Sequence, residues 1–521
     1  MTAHNETTVG GTAIPGAQLL ALLSLAQDSA FGQPLESELR TCLLSVWLAE
    51  ALGCSSDERS DTYYAALLRY VGCTGHAHET AAIFGDEIEA RARSALYDAS
   101  NPAEMLLEIV KHAGEGKALP ERLRILSSVL AAGRRGAADG FRAGCEVADR
   151  LADRLGMSAR VRAALACTFE RWSGTGYPNG VRGDAIPRAM RIVHLTQEME
   201  ALERFGGVAS SVALARKRAG RAYDPAIVEV FAKVAGEIFA RLARASAWDD
   251  VLSIDPAPRV LSDGGLDEAL LVIADFVDAK SPFTLGHSRG VGELAAGAAA
   301  ACGLDAAEQK GVLRAGYLHD LGRCGIPNSI WDKPALLTRT ELDRVRIHSL
   351  LGDQMLARLD VLARVRAIAA ADHERWDGSG YHRGMRAPQP PLPARILACA
   401  DVYHAMTEPR PTRPARPVEE AARELRAEGA RGALDRDAVE AVLAAAGHRA
   451  RPVRKGAPCG LTDREVEVLT LVARGFTTKE VASRLGISAK TADHHIQSVY
   501  GKIGVTTRAA AALFAAQTGL A

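Results

Sequence analysis

The sequence predicts an all-α fold, with two related helical domains in tandem and a smaller helical domain at the C-terminus. Apolar residues recur near the helical period in segments such as 341–359 and 361–371. Runs that alternate apolar with polar residues, which are typical of half-buried strands, are few. Prolines such as Pro327, Pro334 and Pro393 separate the periodic segments and indicate loops between helices.

The third observation behind this fold class is an internal repeat. Three blocks of sequence occur twice in the same order. Leu68–Gly75 aligns with Leu318–Gly325, Ala159–Ala163 with Ala363–Ala367, and Phe169–Pro178 with His373–His382. Two related domains explain this order better than chance does. We call them the first and second copy. The first copy also contains residues 76–140, which have no counterpart in the second and which we call the extra segment.

The two copies differ where chemistry would occur. The second copy has possible metal ligands at six aligned positions: His319, Asp320, His348, Asp372, His373 and Asp401. The first copy has there, in the same order, Arg69, Tyr70, Gly144, Thr168, Phe169 and Gln197. None of these six residues of the first copy is a good metal ligand. The first copy is therefore predicted to keep the fold without the site, and to serve in packing, dimerisation or sensing.

Bulk composition indicates a multidomain protein of the cytoplasm. The chain has 521 residues, too many for one compact core. Its 63 basic and 63 acidic residues give zero formal net charge, so any contact with DNA must come from a local patch. The nine scattered cysteines include no Cys-x-x-Cys pair, which is typical of reduced thiols. Residues 1–15 lack the pattern of a signal peptide, and the Ala-rich run 291–302 is too short to span a membrane.

These observations predict six segments. They are a disordered tail (1–15), the degenerate first copy (16–245), a linker (246–265), the second copy (266–447), a basic linker (448–460) and the C-terminal domain (461–521).

His319 and Asp320 stand side by side at the end of an apolar run, which is rarely a packing solution. They suit a two-metal site, in which the carboxylate bridges both ions and the imidazole binds one of them. Further candidate ligands are His287 upstream and, downstream, His348, Asp372, His373 and Asp401. The alternative is that these side chains are helix caps and satisfied core residues in a second degenerate copy.

Residues 267–447 resemble the HD-GYP family of metal-dependent phosphodiesterases, all-helical members of the HD superfamily, many of which hydrolyse cyclic di-GMP. The matching blocks are Gly286–Ser288, Leu318–Pro327, His348 with Gly352, His373–Tyr381, Ala400–Tyr403 and Arg410-Pro411. The resemblance implies that His287, His319, Asp320, His348, His373 and Asp401 are ligands, with Asp320 bridging two ions. A mixed imidazole and carboxylate shell favours iron or manganese. Arg410 and Arg413 stand where the family commonly holds phosphates, and Tyr381 is predicted to contact substrate with them.

The second copy departs from the family pattern at several positions. The family's Lys after the His-Asp pair is Arg323, a predicted catalytic cation that cannot release a proton. Asp372 replaces a usual His and can still bind a hard cation. The intact Gly-Tyr-Pro signature lies in the first copy, whereas the second has Gly380-Tyr381-His382. Phe283 stands where trinuclear members have an acidic residue, so two metals are expected rather than three.

The C-terminal domain has the helix starts of a helix-turn-helix. Thr462 with Glu465 forms a capping box, Thr477 or Thr478 caps a second helix, and Ser488 caps a third helix at 489–503. A fourth helix is predicted at about 507–518. The alternative is a small helical bundle for protein contact.

The stretch from Leu461 onwards resembles the LuxR-type (GerE-like) DNA-binding domain. The matching residues include Leu461-Thr462, Arg464-Glu465, Lys479-Glu480, Lys490-Thr491, His495 and Arg508. By resemblance, helix 489–503 enters the major groove of double-stranded DNA, Lys479, Ser488, Lys490, Thr491 and Lys502 hold phosphates, and Asp493, His494 and Gln497 face bases. The Ala-rich helix 509–516 is predicted to form a homodimer, since its apolar face needs a partner.

Together the motifs predict a DNA-binding transcriptional regulator. Its second copy would bind or hydrolyse a nucleotide such as cyclic di-GMP with two divalent transition-metal ions. The first alternative is an enzyme that the DNA-binding domain localises. The second is a regulator whose two copies are non-catalytic modules for sensing or dimerisation.

Overall fold

The structure is a computed structural model that describes residues 14–94, 101–449, 461–517 and 520. The predicted disordered tail, up to residue 13, and residues 450–460 of the predicted basic linker lie outside the described residues. Regular structure in the described part is helical except for a two-stranded antiparallel sheet, which pairs β1 (Ile14–Pro15) with β2 (Val260–Leu261). The predicted all-α fold class is confirmed.

The described helices follow one another in three groups. The first copy contains α1 (Gly16–Ala30), α2 (Ser37–Ala51), α3 (Ser56–Leu67), α4 (Ala77–Phe84), α5 (Glu87–Arg93), α6 (Pro102–His112), α7 (Leu119–Arg154), α8 (Ala159–Leu165), α9 (Arg188–Arg218), α10 (Pro225–Leu242) and α11 (Ala247–Ser253). The second copy contains α12 (Asp263–Asp278), α13 (His287–Ala301), α14 (Ala306–Leu318), α15 (Asn328–Trp331), α16 (Arg339–Leu356), α17 (Ala363–Ala369), α18 (Leu392–Thr407), α19 (Val418–Arg431) and α20 (Arg436–Ala445). The C-terminal domain contains α21 (Asp463–Ala473), α22 (Thr478–Leu485), α23 (Ala489–Ile503) and α24 (Arg508–Gln517).

The chain packs as two compact units. Unit 1 comprises residues 1–291, 314–370 and 408–415, and unit 2 comprises residues 292–313, 371–407 and 416–521. The core of unit 1 is built around α2, which packs against α3, α9 and α10. Leu43, Leu44 and Leu48 of α2 are fully buried, and burying a leucine side chain contributes about 1.5–3 kcal/mol. In unit 2, α18 packs against α19 and α20.

The repeat seen in the sequence is also a repeat in structure. In the first copy, the Asp28 carboxylate accepts a hydrogen bond of 3.0 Å from the backbone N–H of Glu38. In the second copy, the Asp278 carboxylate accepts one of 2.8 Å from the backbone N–H of Ser288. Each bond joins residues ten positions apart and fixes the start of the helix that follows. The two copies therefore enter their second helix in the same way.

The predicted linker 246–265 is ordered in the structure. It contains α11 and β2, and Trp248 and Val251 are buried. The Tyr63 hydroxyl donates a hydrogen bond of 3.1 Å to the Val251 carbonyl. The prolines and glycines of this stretch resemble a flexible connector, but its apolar side chains bury themselves against the first copy.

The extra segment packs against the second copy inside unit 1. Lys280 and Glu87 form an ion pair in which both side chains are almost wholly inaccessible to solvent. Lys280 Nζ also donates to Asn328 Oδ1 at 2.6 Å, and the Asn328 backbone N–H donates to Glu87 at 3.0 Å. His78 Nδ1 lies 2.7 Å from Asp332 Oδ2. These contacts give the extra segment a structural role that no sequence motif indicated.

The C-terminal domain has the four helices and the caps that the sequence predicts. Thr462 and Thr477 each form a capping box, with Glu465 and Glu480, and Ser488 caps α23. Its core is apolar, with fully buried Val468, Leu469 and Val481 among its members.

The last helix, α24, packs two of its small side chains within its own domain. Ala511 and Ala515 are fully buried and pack in the core against α21. The homodimer through the helix 509–516 stays a prediction.

Two other features of the described residues concern the cysteines and the hydropathy of the helices. The eight cysteines found there are free thiols. None of the helices described has the combination of length and hydropathy that a membrane span requires.

Replacing Glu87 with alanine should destabilise the protein by about 3–5 kcal/mol, because Lys280 would be left as a buried charge without its partner. Urea unfolding followed by circular dichroism measures the change. Glu89→Ala, on the same helix, is the matched control, since the Glu89 side chain that pairs with Arg93 is 65% exposed and exposed pairs contribute little. Equal losses in the two variants would contradict the assigned role of the Glu87 pair.

Candidate metal centre and DNA-binding helix

Asp320 is the centre of a buried cluster of imidazoles in unit 1. It lies between α14 and the 3-10 turn Leu321–Gly325, and it is 4% exposed. Nε2 of His287, His319 and His348 lies 3.9, 3.6 and 3.7 Å from the Asp320 carboxylate. Three of the predicted ligands therefore surround the predicted bridging carboxylate.

The protonation of these imidazoles follows from their other ring nitrogen. Nδ1 of His319 and of His348 donates to a backbone carbonyl three residues earlier, at 2.7 and 2.5 Å. Nδ1 of His287 lies 2.8 Å from the Glu408 carboxylate. Because these oxygens only accept, Nδ1 of each ring is the donor, and Nε2 is left to face Asp320. An outer hydrogen bond of this kind orients metal-binding histidines.

The charges of the cluster favour an ionised carboxylate at Asp320. Burial acts to raise the pKa of Asp320, but Arg323 and the three histidines outweigh it and hold this pKa well below its ordinary value. Burial lowers the pKa of His348, although Asp320 opposes the effect. Carboxylate and neutral imidazole are the donors that divalent transition metals prefer. The residues of unit 1 therefore fit a metal ion by their chemistry as well as by their positions.

Arg323 is held in place beside the candidate ligands. Its Nη1 donates to Asp320 Oδ2 at 2.7 Å. Its guanidinium stacks over the Trp331 ring at 4.0 Å, and that ring lies 5.5 Å from the His348 ring. The predicted catalytic cation is thus fixed on two sides.

The predicted phosphate-binding arginines lie on a tight turn of unit 1. The backbone N–H and carbonyl of Arg410 and Arg413 bond each other at 2.8 and 3.0 Å. Arg410 Nη2 lies 3.0 Å from Glu408 Oε2 and 3.4 Å from His287 Nδ1, and Arg413 Nη1 donates to the Glu408 carbonyl at 3.2 Å. The turn thus places Arg410 next to a candidate metal ligand.

Glu408 is a site residue that reasoning from sequence missed. It joins Arg410 to His287, and it orients the His287 ring. The available signal was weak, since it consists only of a carboxylate two positions before the Arg-Pro pair.

Unit 2 contains the other predicted site residues. His373 Nε2 lies 3.3 Å from Asp372 Oδ2, and Asp372 is fully buried. The His373 ring stacks on the Tyr381 ring with centroids 4.8 Å apart. Asp401 is buried on α18, one turn before His404.

The residues around Tyr381 form a loop that both copies build alike. The Glu374 carboxylate accepts from the backbone N–H groups of Arg383 and Met385, at 2.8 and 2.7 Å. In the first copy, Glu170 accepts in the same way from residues 179 and 180. This part of the signature therefore holds a loop, which explains why it recurs in a copy without metal ligands.

Histidine and carboxylate groups that could hold a metal ion occur among the described residues. In unit 1 the residues concerned are His287, His319, Asp320, His348 and Glu408, and in unit 2 they are Asp372, His373, Asp401 and His404. Within the described part of the chain, every such group belongs to the second copy.

The first copy fills the corresponding positions with aromatic rings and a guanidinium. The Tyr70 ring stacks on the Phe31 ring with centroids 3.7 Å apart, and Arg69 lies over Tyr70 at 4.7 Å. The Phe169 ring lies 4.6 Å from the Phe141 ring. These contacts replace coordination by dispersion and cation–π attraction.

The predicted DNA-contacting residues lie on and before α23. Most of the side chains are exposed, namely Lys479, Ser488, Lys490, Thr491, Asp493, His494 and Gln497. Lys502 is partly buried and its Nζ lies 2.6 Å from the buried Glu465 carboxylate. This ion pair ties α23 to α21, so Lys502 has a structural partner within the domain.

Two known families match the chain in separate regions. The family described as HD domain matches residues 271–438. The family described as bacterial regulatory proteins of the luxR family matches residues 460–515. Both resemblances drawn from the sequence motifs are confirmed.

Three similar proteins match different shares of the chain. The 3'3'-cGAMP-specific phosphodiesterase 3 of Vibrio cholerae serotype O1 is 28% identical over 418 residues, which are 80% of this chain and 91% of that protein. The 3'3'-cGAMP-specific phosphodiesterase 1 of the same organism is 35% identical over 34% of this chain and 42% of its own length. A cyclic di-GMP phosphodiesterase of Thermotoga maritima is 36% identical over 30% of this chain and 43% of its own length. The chain thus spans less than half of the last two relatives.

A solved structure is similar over most of the chain. It is the crystal structure of a cyclic GMP-AMP specific phosphodiesterase of V. cholerae, which is 26% identical and has a TM-score of 0.57. The match covers 84% of this chain and 98% of that one.

Gly322→Ala should displace α16 and with it His348. A Cβ at Gly322 would lie 1.9 Å from the His348 carbonyl oxygen and 2.6 Å from the Gly352 nitrogen, and backbone atoms cannot give way. We expect a lower melting temperature and less bound metal, measured by thermal unfolding and elemental analysis.

Gly311→Ala on α14 is the matched control, because a Cβ there meets no atom within 4 Å. Full metal content in Gly322→Ala would show that this close approach does not position His348.

Proposed function

We propose that this chain, which joins an HD domain to a luxR-family regulatory domain, is a DNA-binding regulator whose second copy hydrolyses a cyclic dinucleotide with two divalent metal ions. The observation that carries the proposal is the geometry around Asp320. Three imidazoles, each with a protonated Nδ1, direct Nε2 at one buried and ionised carboxylate. A carboxylate in a structural ion pair does not require three histidine rings oriented towards it in this way.

The ligand set is completed, in this proposal, by Asp372, His373 and Asp401 of unit 2. Two ions, iron or manganese by the donor types, would neutralise the phosphodiester, lower the pKa of a bound water and stabilise the leaving oxygen. Asp320 would bridge them. The support is the order and type of these residues in the sequence, together with their burial.

The remaining residues would bind and orient the substrate. Arg410 and Arg413 present guanidinium groups, which suit the oxygens of a phosphodiester. Arg323 keeps its charge at every physiological pH, so it would act as a fixed cation and never as a proton donor. Tyr381, stacked on His373, offers an aromatic face to a base.

The substrate class rests on the similar proteins. Their printed names specify 3'3'-cGAMP in two cases and cyclic di-GMP in another. We therefore propose the class, and a panel of cyclic and linear dinucleotides assigns the member.

A non-catalytic regulator is the alternative. The observation that favours it is that Asp372 adds a second buried carboxylate near His373, where its negative charge would retune a metal ion. In that case nucleotide binding alone would change the contact with DNA. Footprints with and without nucleotide, read beside a hydrolysis assay, distinguish the two functions.

Asp320→Asn should remove both bound metal and hydrolysis, because the amide cannot bridge two cations. Elemental analysis and the dinucleotide panel measure the two losses. Asp343→Asn is the matched control, since Asp343 is exposed on α16, the helix that carries His348. DNA affinity should persist in both variants, and a full metal complement in Asp320→Asn would refute the ligand assignment.

Lys490→Ala should weaken binding to all DNA sequences alike and reduce the salt dependence by about one charge, because Lys490 is expected to contact a phosphate. Fluorescence anisotropy at several salt concentrations measures both effects. Lys233→Ala removes the same charge from an exposed site on α10 and serves as the control. Unchanged affinity in Lys490→Ala would contradict the proposed docking of α23.

A further inference from the structure

Two helices of the extra segment meet at the surface of unit 1. The first is α6, and the second is the part of α7 before Gly133, where the backbone leaves the helical conformation with φ 52°. Arg122 Nη2 of α7 donates to the Lys111 carbonyl of α6 at 2.6 Å. We call this pair, residues 102–132, the hairpin.

The hairpin carries an unusual share of the exposed apolar surface. Of the fifteen large hydrophobic side chains that are exposed in the described residues, six lie between positions 106 and 130. They are Leu106, Leu107, Val110, Leu119, Leu123 and Leu130, with Leu119 at 69% and Leu123 at 56% exposure. A concentration of exposed apolar side chains in one segment is typical of an interaction site.

The spacing of the leucines on α7 is that of a helix-pairing seam. Leu119, Leu123, Leu126 and Leu130 follow one another at intervals of four, three and four residues. This is the heptad pattern, which places one stripe of side chains along the contact between associating helices. A single stripe of this kind is usually matched by a second helical stripe, which favours a helical partner over a small ligand.

The charges beside the apolar stripe are self-complementary. On α6, Glu104 lies before the exposed Leu106, Leu107 and Val110, and Lys111 lies directly after them. If two α6 helices pack antiparallel about a two-fold axis that passes between Leu107 and Glu108, Glu104 of each faces Lys111 of the other. A two-fold interface requires this kind of self-complementarity.

We infer that the hairpin is the dimer interface of the protein, and that its occupant is the hairpin of a second copy of this chain. Two hairpins together form a four-helix arrangement that covers the leucine stripe of each. The inference does not depend on the metal site, so either can fail without the other.

The experiment measures the association state of the full chain by sedimentation equilibrium. The native protein should be a dimer, and Leu123→Glu should be a monomer at the same concentration, because a charge in the seam cannot be desolvated. Leu336→Glu is the matched control, since Leu336 is a 91% exposed leucine outside the hairpin. A monomeric native protein, or a dimer that persists in Leu123→Glu, would overturn the inference.

A charge exchange tests the two-fold arrangement separately. Lys111→Glu should weaken the dimer at least tenfold, because Glu104 of one copy would then face an acid in the other. The double variant Glu104→Lys with Lys111→Glu should restore the native dissociation constant. If the double variant is as weak as the single one, the helices do not pack antiparallel about this axis. Circular dichroism of each variant shows that the fold is kept, since these side chains lie at the surface.

Discussion

The ionised carboxylate of Asp320 is the constraint on which the second copy depends. A buried carboxylate is costly without compensating charge, and here Arg323 and three imidazoles supply it. The same compensation orients the imidazoles, since each ring is held from its far side by a carbonyl or by Glu408. The cluster thus combines a carboxylate whose charge is stabilised with three oriented imidazoles whose Nε2 atoms approach it.

Unit 1 links this cluster to the first copy through packing that is partly ionic. The 3-10 turn after Asp320 contacts α16 and also α1 of the first copy. A few residues later, Asn328 bonds to Glu87 of the extra segment and to Lys280, so the chain just beyond the site is held by both copies. The two copies are therefore not independent modules. The copy without ligands contributes contacts to the segment that carries the ligands.

Much of this could be predicted from the sequence, for reasons that are local. The capping boxes at Thr462 and Thr477 depend on residues three positions apart, and the ligand series is recognisable because it survives beside a sister copy that lacks it. The failures concern contacts between distant segments. Glu408 acquires its role only when the chain folds back on His287, and the stretch 246–265 is ordered by Tyr63, far away in sequence. Likewise, Ala511 and Ala515 of α24 pack against α21, a helix that is distant in the sequence.

The aromatic stack of the first copy has a consequence for how the protein responds to its surroundings. Phe31, Tyr70 and Phe169 pack their rings together, so the fold of this copy is held by aromatic contacts and not by coordination. If the second copy holds metal ions as proposed, a shortage of metal would empty that copy alone and leave the aromatic core of the first copy unchanged. The proposed activity would then lapse and return with the supply of metal, while half of the duplication keeps its fold throughout.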